Sequence, residues 1–508
     1  MRSLIKAAVL ATALAAFGLC SAALADDPKP DAAKAAPAAG KGDKPDLPPF
    51  PADASIHQTT VVAGKTLAYT ATAGSLPVRD EDGKKIAEVV FTAYVLDGPH
   101  DLHRPVTFAF NGGPGAASVY LNLGAIGPKR VQFGAQGDSP SDPAVLRDNP
   151  GTWLDFTDLV FIDPVGTGYS RSLVKPDETD KKFFQVKTDI EYLSRIVYDW
   201  LARNGRMASP KYVVGESYGG YRAPAIANEL QTVQGVGVSG VVMVSPALDG
   251  RNAADPDTSP MSWMATLPSM AAANYERQGK ILSPQTMAEV ETYTRTDFVL
   301  DLLKGRQDQA AVDRIVQRVT AFTGLPEEDV RRMGGRIDSR EFLRALYRRE
   351  GKLGSWYDSN VTAYDPYPWA PQQRTGDPIL NGILAPTTSA MVDFVTRQVG
   401  WKVDAHYEPL NTMVNQHWEK HWFTSIESAS DLREALANDP KMKALIVHGY
   451  DDLSCPYFGS ALVISQIPTM GAPDRLQLKV YPGGHMFYSR PDSQAALRRD
   501  VMALYGVQ

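Results

Sequence analysis

The stretch YVVGESYGGYRAP, Tyr212 to Pro224, constrains the fold more than any other: a run of β-formers ends on Gly-Glu-Ser-Tyr-Gly and passes at once into helix-compatible sequence. A serine flanked by glycines at such a turn has the form of a nucleophile elbow. The glycines remove clashes that side chains would cause, and the turn lifts the hydroxyl clear of the sheet. An elbow needs a buried strand before it and a helix after it, so the surrounding chain has to supply a helix-covered sheet.

It does. Runs rich in β-formers occur at KTLAYTATAG, IAEVVFTAYVLDG, PVTFAFNGG, DLVFIDPVG, KYVVG and GVVMVSPAL, with helical patterns at 182–203 and 221–231 between the later ones. Strands alternating with helices predict an α/β fold, a mostly parallel sheet with helices on both faces. Between about 251 and 440 strands become scarce. Val312, Ile315, Val316, Val319 and Phe322 fall on one helical face, and SREFLRALYRRE is a second amphipathic candidate. The alternation then resumes with MKALIVHGYDD, a helix over 458–467, LQLKVYPGGH and a closing helix over 493–505. The reading is a core of two parts, 51–250 and 441–508, interrupted by a mainly helical cap at 251–440.

Ahead of the core, residues 1–25 combine Arg2 and Lys6, an apolar stretch and Ala23-Leu24-Ala25, the pattern of a secretory signal peptide. A lipid anchor on Cys20 is disfavoured by Phe17-Gly18-Leu19, which puts a bulky residue before the cysteine where a small one is wanted. Residues 26–50 are rich in Pro, Ala, Lys and Asp with little to bury, and read as a disordered linker. The expectation is an exported protein, periplasmic or secreted, with no membrane association after cleavage. Cleavage leaves only Cys455 of the two cysteines, so no intrachain disulfide forms and the core carries the stability. A net charge of −6 without any Lys/Arg block argues against a nucleic-acid partner.

A serine hydroxyl needs a base to take its proton and a carboxylate to hold that base in the right tautomer. In this fold the acid and then the histidine follow the serine in sequence. HGYDDLSCP supplies Asp451 and Asp452 after one strand, and YPGGHMFY supplies His485 after the next. Adjacent aspartates cannot both point at one imidazole, and spacing leaves the choice open. His448 precedes the aspartates and reads as a core or capping residue. His417 and His421 in HWEKH stand four apart, but the glutamate is not placed as in a zinc protease helix, so no metal site is expected. Earlier, FNGGPGAAS, Phe110 to Ser118, ends a strand with glycines whose N–H groups can point at a developing oxyanion.

Taken together these segments resemble the serine carboxypeptidase family, the S10 peptidases of the α/β-hydrolase group. NGGPGAAS is similar to that family's N-G-G-P-G-C-S-S, FIDPVGTGYS to its D-Q-P-x-G-x-G-F/Y-S, and GESYGG to its G-E-S-Y-A/G-G. GYDDLSCP resembles its G-D-x-D loop, and GGHM its G-A-G-H-M. The resemblance implies an α/β-hydrolase fold with Ser217 as nucleophile, His485 as general base and acid, and Asp452 as the orienting carboxylate, leaving Asp451 a bystander. It implies an oxyanion hole from the N–H groups of Gly113 and Tyr218. It also implies that Asn111 and Glu216 grip the substrate's terminal carboxylate, which requires a protonated Glu216, since two carboxylates share a site only with a proton between them.

The activity implied is serine-type carboxypeptidase action on peptide or protein C-termini through an acyl-enzyme, favoured at acidic pH, with no metal or organic cofactor. Three positions depart from the family pattern: Ala125 stands where a second carboxylate-binding Glu is usual, Ala116 replaces a cysteine, and FIDPVG lacks a residue between Asp and Pro. Cys455 matches a cysteine that some members keep free near the site, so a bulky thiol reagent should obstruct activity. Ala125 keeps alternative readings open, an esterase, an acyltransferase or another serine peptidase on the same scaffold. A catalytically silent binding protein is the reading from another class. The cap is expected to close over the substrate, with the aromatic residues of GSWYDSNVTAYDPYPWAP as candidate pocket lining or core.

Overall fold

In the computed structural model of the protein the described residues are 47–99, 101–132, 140–250, 258–420 and 426–507. The expected leader, nearly all of the linker, Cys20 and His421 lie outside them. In chain order the first strands are β1 (Ala54–Val62), β2 (Lys65–Arg79), β3 (Lys85–Leu96), β4 (Val106–Phe110), β5 (Lys129–Gln132), β6 (Val145–Asp148) and β7 (Asp158–Ile162). They are followed by β8 (Arg171–Ser172), β9 (Lys211–Glu216), β10 (Gly240–Val244), β11 (Lys352–Gly354), β12 (Thr362–Tyr364), β13 (Lys443–Gly449) and β14 (Leu476–Tyr481).

The main sheet runs β1-β2-β3-β7-β4-β9-β10-β13-β14, with the short β8 on β3. The meander β1-β2-β3 is antiparallel, as is β3 with β7. From β7 onward every neighbouring pair is parallel. The apolar runs of β4, β7, β9 and β10 are buried at every position, as expected for parallel strands covered on both faces. Side chains alternate between two cores. Phe108, Val213 and Val241 join Trp200, Ile226 and Leu230 of the helices Val186–Arg203 and Tyr218–Thr232 on one face. Val214, Val242 and Val447 meet Trp153, Phe394 and Leu497 on the other.

The strand order reverses around β4: the chain goes first to β7 on one side, then back to β9 on the other. Ligand crevices form outside the carboxyl ends of parallel strands at such a reversal. Asn111, Ser217, the loop after Gly449 and the loop after Tyr481 all leave the sheet at that edge.

The stretch 251–440 divides three ways. Helices from Pro260–Arg277 to Ser339–Tyr347 form a third core, with Ile315, Val316, Val319 and Phe322 inward as their spacing predicts, and it extends to Tyr450, Tyr457 and Phe458 beyond β13. The helix Gln309–Thr323 starts on Asp308, whose carboxylate accepts from Ala311 N, and stops at the left-handed Gly324. The helix Pro378–Asp393 and the turn after it instead pack on one sheet face through Ala390, Met391 and Phe394. The helix Ala429–Asn438 packs on the opposite face through Leu432 and Leu436.

Strand β1 has no counterpart in the sequence reading. Its exposure alternates along ASIHQTTVV and it lies at the sheet edge, where half its side chains stay polar. Phe50, assigned from sequence to the linker, packs against Trp401 at 5.3 Å between ring centroids, with Arg171 over its ring.

Candidate active site

The elbow is built by close backbone contact. A Cβ on Gly215 would overlap the Gly219 carbonyl, and one on Gly112 would stand 2.5 Å from Tyr218 N, so neither position tolerates a side chain. Ser217 takes φ 63° and ψ −122°, a conformation costly for a non-glycine residue. The neighbours hold it there: Ser217 N donates to Val244 O at 2.9 Å, and the Ser217 carbonyl accepts from Gly220 N and Ala247 N. Helix Tyr218–Thr232 starts at the next residue and aims its amino end at the same space.

Two loops bring the other groups in. His485 Nδ1 lies 2.7 Å from Asp452 Oδ2, both buried, and Asp452 Oδ1 accepts from Ser454 N and Cys455 N at 2.8 and 2.9 Å. Burial pushes the Asp452 pKa above the ordinary carboxylate value, and the His485 partner and the two N–H donors on Oδ1 work against it to favour the ionised form. Burial pushes the His485 imidazole down, but the Asp452 carboxylate, helped by the Cys455 sulfur, outweighs it and holds the imidazole well above its ordinary value. That favours the imidazolium formed when histidine takes a serine proton.

Ser217 and His485 face one cavity of about 710 Å³, although no hydrogen bond between their side chains is present among the described residues. The same cavity is lined by Asn111, Gly113, Glu216, Tyr218 and Cys455. Asp451 turns elsewhere, to a group with the buried Asp358 and the half-buried Glu276 and Arg490; one carboxylate oxygen from each acid lies within 4.8 Å of the others. Arg490 donates to Glu276 and Asp358 and stands 3.5 Å from Asp451, so a cation already sits among these acids.

Glu216 is buried beside the serine. Asn111 Nδ2 donates to its Oε2 at 2.7 Å, and the Tyr488 hydroxyl lies 2.9 and 3.0 Å from its two oxygens. Asn111 is itself fixed: its Oδ1 accepts from Leu121 N, and its carbonyl accepts from Arg222. Burial raises the Glu216 pKa above the usual carboxylate value, against the opposing pull of His485, Tyr488 and Asn111.

The remaining sequence candidates fall away from this centre. His448 Nε2 meets Ser460 Oγ at 2.9 Å, and burial lowers its pKa to about 3, so it is a neutral core histidine. His417 is exposed and pairs with Asp180 at 3.0 Å. Ala125 is buried, and its carbonyl accepts from Asn149 and Gln494.

A family model described as serine carboxypeptidase matches residues 68–485. The chain belongs to the serine carboxypeptidase family. Serine carboxypeptidase-like 8 of Arabidopsis thaliana is 33% identical over 131 residues, 25% of this chain and 28% of that protein. Pheromone-processing carboxypeptidase KEX1 of Ogataea parapolymorpha is 28% identical over 195 residues, 38% of this chain and 29% of that protein. The chain thus spans less than a third of the length of these two curated relatives. The crystal structure of a prohormone-processing carboxypeptidase from Saccharomyces cerevisiae superposes with a TM-score of 0.55 at 16% identity, covering 86% of this chain and 91% of that one, and establishes the common fold.

Several supports of this serine carboxypeptidase family site escaped the sequence reading. Arg222 forms a fully buried ion pair with Asp189 at 2.6 Å and stacks on the Tyr218 ring. The signal was an arginine inside the apolar run YGGYRAPAIA. Trp356 to Ser359, from within the stretch read as cap, clamp both loops. The Tyr357 carbonyl accepts from His485 N, Trp356 Nε1 donates to the Leu453 carbonyl, and Ser359 Oγ donates to the Asp451 carbonyl. Trp356 and Tyr357 line the cavity, while Tyr364 and Trp369 of the same aromatic stretch are exposed.

Proposed function

We propose that the protein is a serine-type carboxypeptidase that removes C-terminal amino acids from peptides through an acyl-enzyme on Ser217. The observation that carries this reading is the buried Glu216–Asn111 pair opening onto the same cavity as Ser217 and His485. Burial raises the Glu216 pKa, and in its protonated form the acid donates a hydrogen bond to a substrate carboxylate, with the Asn111 amide beside it.

In this reading the last peptide carbonyl lies against Ser217, and His485 takes the serine proton as the Ser217 Oγ–carbonyl bond forms. The oxyanion is stabilised by the N–H groups of Gly113 and Tyr218 and by the amino end of the helix behind them. His485, oriented by Asp452, passes the proton to the departing amine as the C–N bond breaks. Water then releases the shortened peptide by the same steps, with His485 again as base. Export through a cleaved segment at 1–25 belongs to this proposal, supported by its basic start, apolar stretch and small-residue end.

The test compares N-blocked dipeptides with their C-terminal amides and simple esters, using a Ser217→Ala preparation as blank. A carboxypeptidase prefers the free acid, and that preference declines as pH rises through the raised pKa of Glu216, because the ionised form repels the substrate. Equal rates on acid, amide and ester at every pH would move the protein to the esterase or acyltransferase readings.

A further inference from the structure

Tyr488 stands three residues past His485, in the short turn Phe487–Ser489, and is not among the residues lining the cavity. Its hydroxyl nevertheless reaches both oxygens of Glu216, and both side chains are buried. Its ring packs beside Gly124, where a Cβ would come within 3.4 Å of it, so backbone rather than a competing side chain occupies that flank.

A phenol carries one proton. It donates to one carboxylate oxygen at a time, and with Asn111 Nδ2 on Oε2 the ionised Glu216 gains a second donor at no cost in rearrangement. A protonated Glu216 has less use for that donor, since one oxygen must now give its own hydrogen to a partner. The contact therefore favours the ionised acid. We propose that Tyr488 is a positioning residue that holds the Glu216 carboxyl toward the cavity and, by donating to its ionised form, sets the upper pH limit for binding a substrate carboxylate. This rests on the carboxypeptidase reading for its substrate, but not for the effect on Glu216 itself.

The other titratable groups facing Glu216 are His485, which favours its ionised form, Asp452, which opposes it, and Tyr120, a phenol raised by burial and by Glu216. All three remain in a Tyr488→Phe protein, so a change in the limit reports the hydroxyl.

The experiment follows kcat and KM against pH for N-blocked dipeptide acids with the wild type and Tyr488→Phe. The alkaline limb of kcat/KM should move upward by about one pH unit, the scale of a hydrogen bond to a charged group, and should do so through KM. Amide and ester substrates should show no such movement. A uniform loss at all pH values, or a limb that moves to lower pH, overturns the proposal. Fluorinated tyrosine at 488, a stronger donor of nearly the same size, should move the limb the other way, which keeps the idea testable if the phenylalanine variant fails to fold. Infrared titration of the Glu216 carboxyl, by difference from Glu216→Gln, separates the two readings. A Tyr488-dependent shift of that titration without any preference for free acids defeats the carboxypeptidase reading alone. A preference for free acids with an unmoved titration defeats the role of Tyr488 alone.

Discussion

A buried carboxyl on one side of His485 and a cluster of three on the other are satisfied in opposite ways. On the elbow side the hydrogen-bond donors to Glu216 among the described residues are neutral, Asn111 and Tyr488, and His485 acts on it from a distance. On the acid-loop side Asp451, Asp358 and Glu276 surround the guanidinium of Arg490. A carboxyl held by neutral donors still has its charge state to settle, and a ligand entering the cavity can settle it. Around Arg490 a fixed cation already occupies the space between the acids, burial and the neighbouring acids still raise the Asp451 pKa against it, and the group serves to join loops. Asp452 stands between these cases: in the proposed mechanism its partner, His485, is the one whose charge changes during turnover. Burial alone does not distinguish functional from structural acids here; the charge of the partner does.

The largest test of this contrast exchanges the adjacent aspartates. Asp452→Asn should lower turnover by about 10⁴, the cost of a wrongly held imidazole. Asp451→Asn should change it by less than about tenfold, since Asp451 faces Arg490 and not His485. Comparable losses in steady-state assays of both variants would break the distinction. Next in size is Arg490→Met. It leaves buried acids without their cation and should cost about 3 kcal/mol of stability, read as a lower midpoint in urea. An unchanged midpoint would show that the three acids need no cation.

The smallest effect is the pH dependence of stability. Burial first, then Asp358 and Glu276, raise the Asp451 pKa well above its ordinary value, with Arg490 opposing. A raised folded-state pKa means that its contribution is fully present below the unfolded value and is lost as pH rises through the folded one. Asp451→Asn should therefore flatten the decline in melting temperature between acid and alkaline pH, with little change at acid pH. Parallel curves for variant and wild type would place the titration elsewhere.

The resemblance assigned the orienting acid to Asp452 where spacing left the choice open. In the structure the turn after β13 directs Asp452 to His485 Nδ1 and Asp451 to Arg490. Trp356 and Tyr357 were legible as candidate pocket lining, whereas the hydrogen bonds of Trp356 to Ser359 to the two loops were not, since those loops lie about a hundred residues away. The edge strand β1 was missed for a related reason. Its polar alternation carries little hydrophobic signal, and pairing with β2 supplies the hydrogen bonds that define it.

The sequence by itself determined the alternation of strands and helices, the elbow with its glycines, and the set of residue types needed for acyl transfer. These depend on local sterics, hydrophobic period and short motifs. The tertiary structure alone decided the company each buried acid keeps: tyrosine and asparagine for Glu216, histidine for Asp452, arginine for Asp451. Such pairings join side chains that are distant along the chain, and whether a buried carboxyl is charged depends on those partners rather than on its neighbours in sequence.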